Sequence, residues 1–99
     1  MKLVFALEAE RQATEMDTWW RERRPKARDL FARELDEVRR LIVDTPSIGS
    51  KYMTRGGKVA RRVLMRKTRS HVYFEVDEAH DVVIVLAVWG APRRRGPRL

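Results

Sequence analysis

His71-Val72-Tyr73-Phe74-Glu75-Val76-Asp77, then Glu78-Ala79-His80-Asp81, then Val82-Val83-Ile84-Val85-Leu86-Ala87-Val88-Trp89 is the stretch that decides the fold. In its first part Val72, Phe74 and Val76 alternate with His71, Tyr73, Glu75 and Asp77, which is the two-residue period of a strand with one apolar face. The polar segment reverses the chain. The apolar run that follows, 82–89, is too short to span a membrane and suits a strand covered on both faces or lying mid-sheet.

Working back from there, 59–67 is strand-like, with Val63-Leu64-Met65 flanked by cations, and Gly56-Gly57 marks a loop. Thr45-Pro46-Ser47-Ile48-Gly49-Ser50 is a run of turn residues. Before it the period changes. Ala27, Leu30, Phe31, Leu35, Val38, Leu41 and Ile42 keep a three-four spacing, which predicts a helix over 26–44. Ala9, Ala13, Met16 and Trp20 do the same over 8–23, with Glu8 and Glu10 near the start and Arg21, Arg23 and Arg24 near the end, where they complement the helix dipole. Pro25 ends the first helix and can open the second. Residues 2–6 suit a short first strand. The predicted order is β-α-α-β-β-β, an α+β fold with a helical hairpin packed on a largely antiparallel sheet.

At 99 residues, 43% hydrophobic and 36% charged, the chain reads as one globular domain over 1–92. The basic tail 93–99 has nothing evident to bury and is expected to be mobile. The absence of cysteine excludes a disulfide framework and a thiolate zinc site, and two histidines argue against any protein metal site. No cofactor motif is present. The apolar start 3–7 is broken by Glu8, too short for a signal-peptide core, so a cytoplasmic protein with no membrane partner is expected.

Charge is polarised along the chain. Residues 1–50 carry ten Lys/Arg against ten Asp/Glu, whereas 51–99 carry twelve against four, which is the whole net charge of +8. Between Lys51 and Arg69 there are eight cations and no acid. Such a field suits a polyanion or an acidic protein.

Several stretches together resemble the RelE/ParE family of toxins from type II toxin–antitoxin pairs. They are Asp17-Thr18-Trp19-Trp20-Arg21 followed by Arg24-Pro25, Thr45-Pro46-Ser47-Ile48-Gly49, Arg61-Arg62-Val63-Leu64, Thr68 to Asp77, and Val85-Leu86-Ala87-Val88-Trp89-Gly90. The resemblance covers about residues 2–95. It implies a cytoplasmic toxin held in a hetero-oligomer by a cognate antitoxin encoded in the adjacent frame. Its target would be DNA gyrase, as for ParE-like members, or messenger RNA on the ribosome, as for RelE-like members.

RNA cleavage through the 2′-hydroxyl needs a base, an acid and cations for the developing phosphorane charge. His71, Tyr73 and Glu75 on one strand face, beside Arg62, Arg66 and Arg69, are the candidates. Measured against the RNA-cleaving motif the set is incomplete. Leu64 stands where that subgroup often has Lys, His71 where it has Arg, Ser70 where an aromatic is usual, and no tyrosine follows the last strand. The ParE-like branch and gyrase inhibition are therefore favoured. The alternatives are a ribosome-dependent endoribonuclease or an inactive toxin-fold basic adaptor. A target- or nucleic-acid-binding patch is expected from Arg62, Arg66, Arg69, Arg93, Arg94 and Arg95, contacting phosphate without reading bases. Trp19 and Trp20 sit about 100° apart on their helix, so only Trp20 can join the core stripe. Trp19 is left for the helix–sheet edge or for an antitoxin segment.

Overall fold

The computed structural model describes residues 1–91 and 95–99. The elements are β1 (Lys2–Phe5), α1 (Leu7–Arg23), α2 (Leu30–Asp44), β2 (Ser50–Met53), β3 (Val59–Met65), β4 (Ser70–Asp77) and β5 (Val82–Gly90), with single 3-10 turns at Pro25–Ala27 and Glu78–His80. They form an α+β domain in which two helices pack on a five-stranded mixed sheet of order β1-β5-β4-β3-β2. β1 runs parallel to β5, and the other three pairings are antiparallel. β5 is therefore interior, as its unbroken apolar run requires.

The sheet face beneath the helices is dry. Val63 and Met65 of β3, Val72 and Phe74 of β4, and Val83, Val85 and Val88 of β5 meet Ala9 of α1 and Phe31, Val38 and Ile42 of α2. Trp20 packs at the margin of this cluster with Ala13 and Met16, as its place on the stripe predicts. Between the pairs Tyr73/Ala87 and Phe74/Val85 the β4–β5 ladder slips by one residue, so Leu86 is the extra residue of a bulge. The slip lets both Val85 and Val88 face the helices. The Val88 amide donates to Gln12 Oε1 at 2.8 Å, which ties α1 to the bulge.

Three expectations need correction. The second helix does not fill 26–44: residues 25–27 form a 3-10 turn, and α2 starts at Leu30. Asp29 precedes it with backbone angles of −98° and 7°, makes no side-chain cap, and pairs with Arg33 instead. An unexpected strand, β2, follows the turn residues and pairs Ser50–Met53 with β3. Finally, the tail does have something to bury. Pro97 is buried, Trp89 Nε1 donates to the Arg95 carbonyl at 2.7 Å, and the Arg55 amide donates to the Leu99 carbonyl at 2.7 Å. Arg93 and Arg94, expected in the basic patch, lie outside the described residues.

Candidate functional site

Strand register sorts the candidate residues by face. Arg62 pairs with Tyr73, Leu64 with His71, Tyr73 with Ala87 and His71 with Trp89, so all of these point away from the helices. Tyr52, opposite Ala60 on β2, joins them. Arg61 takes the other face, where its Nε donates to the Ile48 carbonyl at 2.9 Å and a terminal nitrogen to Gly49 at 3.1 Å. The adjacent arginines are thus split between faces, and Arg61 is spent on holding the loop after α2.

His71, Tyr73 and Glu75 do not make an open acid–base set. Tyr73 is only 2% exposed. The Tyr52 ring stands edge-on to it with centroids 5.0 Å apart, and a β-carbon built on Gly96 would lie 3.4 Å from the Tyr52 hydroxyl and 3.7 Å from that of Tyr73. The C-terminal segment therefore covers both phenols. Tyr73 fails as an acid–base candidate because local alternation assigns it a face but carries no information about a strap arriving from Gly96, far along the chain. His71 and Glu75, each partly buried, are roughly 13 Å apart along the strand, too far to flank one phosphodiester. What remains is His71 beside Arg62.

Burial, and secondarily the positive charge of Arg62, hold the His71 imidazole below its ordinary value of 6.5. A histidine of depressed pKa binds fewer protons folded than unfolded. Its contribution to stability is complete above 6.5 and is lost as the pH falls from there through the lower, folded value. The difference in urea midpoint between wild type and His71→Gln is therefore expected to shift in favour of the variant on acidification below 6.5. A pH-independent difference would contradict the shift.

The β3–β4 hairpin carries the basic residues. Arg66, Lys67 and Arg69 are exposed at its turn, with Arg62 partly buried on the second face below them. The turn is fixed from inside by Glu34 of α2, which is 7% exposed. Its carboxylate accepts from the Lys67 amide at 2.8 Å, the Thr68 amide at 2.9 Å and the Thr68 hydroxyl at 2.7 Å. Sequence reading missed Glu34, yet a signal exists: with Phe31, Val38 and Ile42 it lies on the apolar stripe of α2, where an acid needs a buried partner. Arg69 takes a left-handed conformation, φ 55°, and its carbonyl accepts from the Ala91 amide at 2.8 Å.

Between this turn and the C-terminal half of α1 runs a groove of about 700 Å³, lined by Met16, Trp19, Trp20, Arg24, Lys67 and Arg69 among others. Trp19 is 44% exposed on its wall, edge-to-face with Trp20 at 5.6 Å, and the Arg24 guanidinium lies 5.5 Å from the Trp19 ring centroid. The structure thus brings Trp19 to the basic hairpin, a juxtaposition that neither residue's sequence position suggests. Among the described residues no three His, Cys, Asp or Glu gather as metal ligands, and no helix is long and apolar enough to cross a membrane. Comparison of the chain with protein-family models, with characterised proteins and with solved structures gives no match.

Proposed function

We propose that the protein is the toxin component of a type II toxin–antitoxin module, that it inhibits DNA gyrase by surface complementarity, and that a cognate antitoxin encoded in the adjacent frame neutralises it. The reading starts from the resemblance of about residues 2–95 to the RelE/ParE family. The order of two helices on a sheet whose first strand runs parallel to its last is compatible with it. The observation that carries the choice of target is the burial of Tyr73: with this residue only 2% exposed and Glu75 far along the strand from His71, these three groups do not converge as acid and base on a reacting atom. A gyrase poison needs no such pair. It needs an exposed surface that fits the target, and the candidates for it are Arg66 and Arg69, exposed on one hairpin, with the partly buried Arg62 below them.

One observation favours the second reading, ribosome-dependent RNA cleavage. His71 is held neutral beside Arg62, as a general base next to a phosphate-binding cation would be. The two readings separate on toxicity. Induction should arrest growth, and co-expression of the neighbouring frame should relieve the arrest. His71→Ala and Tyr73→Phe should leave toxicity within a few-fold, provided circular dichroism shows the fold intact. A ribonuclease using these groups would lose about 10²-fold or more for each.

A further inference from the structure

The sheet face turned away from the helices is covered by a strap that little holds in place. Residues 95–99 cross that face from β5 to the loop after β2: Trp89 Nε1 donates to the Arg95 carbonyl at 2.7 Å, and the Arg55 amide donates to the Leu99 carbonyl at 2.7 Å. Between these two points Pro97 alone is buried, while Gly96 lies over the phenols of Tyr52 and Tyr73. Neither phenol hydroxyl has a hydrogen-bond partner among the described residues, so the strap covers them without bonding them.

Charge works against closure. Arg95 and Arg98 are exposed, and among the described residues neither has a carboxylate within 4.0 Å, the ion pairs being made by other side chains. Glu8, which lines the cavity beside the strap, is engaged by Arg11. The strap also lies on the basic half of the chain, where residues 51–99 carry twelve Lys/Arg against four Asp/Glu. A segment held by two backbone hydrogen bonds and one proline, and repelled by the surface it covers, opens at far lower cost than the whole fold.

We propose that residues 95–99 are a charge-sensitive autoinhibitory cover: closed, they shield the second sheet face, and open, they give access to Tyr52, Tyr73, Arg62 and His71 together. The His71 and Tyr73 rings have centroids 6.0 Å apart, the Tyr52 and Tyr73 rings 5.0 Å, and Arg62 is the register partner of Tyr73, so one opening reaches all four. Arg66 and Arg69 are exposed at the hairpin turn while the cover is closed, so it controls one surface of the domain and not the other. The cover does not rest on the toxin reading.

The chain has two tyrosines, both under the strap, and no cysteine, so nitrotyrosine formed by tetranitromethane reads the cover directly. In the folded full chain both should be nitrated, about tenfold or more slower than in the urea-unfolded chain. The rate should be nearly independent of urea below the unfolding transition, which marks local opening. Arg95→Glu/Arg98→Glu should slow nitration about threefold or more at low salt, and the difference should vanish as salt screens it. Gly96→Val, whose added carbons meet the phenols, should speed nitration at an unchanged thermal midpoint. Should Gly96→Val fail to fold, the charge-reversed variant, confined to exposed residues, decides. No nitration below the transition, a rate that climbs with urea in step with global unfolding, a rate equal to that of the unfolded chain, or equal low-salt rates for wild type and the charge-reversed variant would each overturn the proposal. Nitration reads the chain alone, so its failure leaves the growth and supercoiling tests of the toxin reading untouched.

Discussion

Glu34→Ala is expected to lower the unfolding free energy by about 3–5 kcal/mol, the scale seen when one partner of a buried polar cluster is removed. The wild-type carboxylate accepts three hydrogen bonds from the β3–β4 turn, at 2.7 to 2.9 Å. Truncation removes the acceptor for two amides and a hydroxyl, and Thr68, which supplies two of these donors, is itself buried. The loss corresponds to a fall of roughly 10–30 °C in thermal midpoint for a domain of this size. Glu34→Gln keeps the shape and one acceptor oxygen but turns an NH2 toward the remaining donors, so it should cost about half as much. Thermal and urea unfolding of both variants measure this. A loss below about 1 kcal/mol for the alanine variant would mean that the turn is not anchored from α2.

The second large effect is expected at Gly49. Its φ is +84°, and a β-carbon there would stand 2.2 Å from the Arg62 carbonyl oxygen and 2.9 Å from a Val63 methyl. Gly49→Ala must therefore accept left-handed strain and also push the loop after α2 off β3, at an expected cost of about 2–4 kcal/mol. Gly57 is the internal control. It has nearly the same conformation, φ +80°, but open space where the β-carbon would sit. Gly57→Ala should lose only the conformational part, about 1 kcal/mol. Equal losses at the two sites would show that close approach to β3 plays no part. Because Arg61 bonds to the carbonyls of Ile48 and Gly49, the displacement should also loosen that contact.

Residues with one dominant local period were readable from the sequence. The stripe Phe31, Leu35, Val38 and Ile42 forms the buried side of α2, and the run within Val82–Gly90 is an interior strand. Where local signals compete, legibility falls. Ser50-Lys51-Tyr52-Met53 has no apolar alternation, and β2 exists because the β3 ladder offers it partners. Residues 26–29 have the composition of a helix but lie in the bend between two helices, so α2 begins later. The candidate site was legible only in its parts. Trp19 and the cations of 66–69 were each visible, yet their meeting in one groove depends on how α1 crosses the sheet. Alternation assigns Tyr73 the face it shares with His71 and Glu75, while its burial comes from Tyr52 and Gly96, both distant in sequence.

The central claim is that this basic α+β domain acts by binding gyrase and not by cutting RNA. Parallel assays of the purified protein test it most directly: supercoiling by purified gyrase, and integrity of messenger RNA on programmed ribosomes. The account predicts that wild-type protein blocks supercoiling, that Arg62→Glu/Arg66→Glu/Arg69→Glu weakens the block in a salt-dependent way, and that the RNA stays whole. Codon-positioned RNA cleavage that His71→Ala abolishes, with supercoiling untouched, would contradict it.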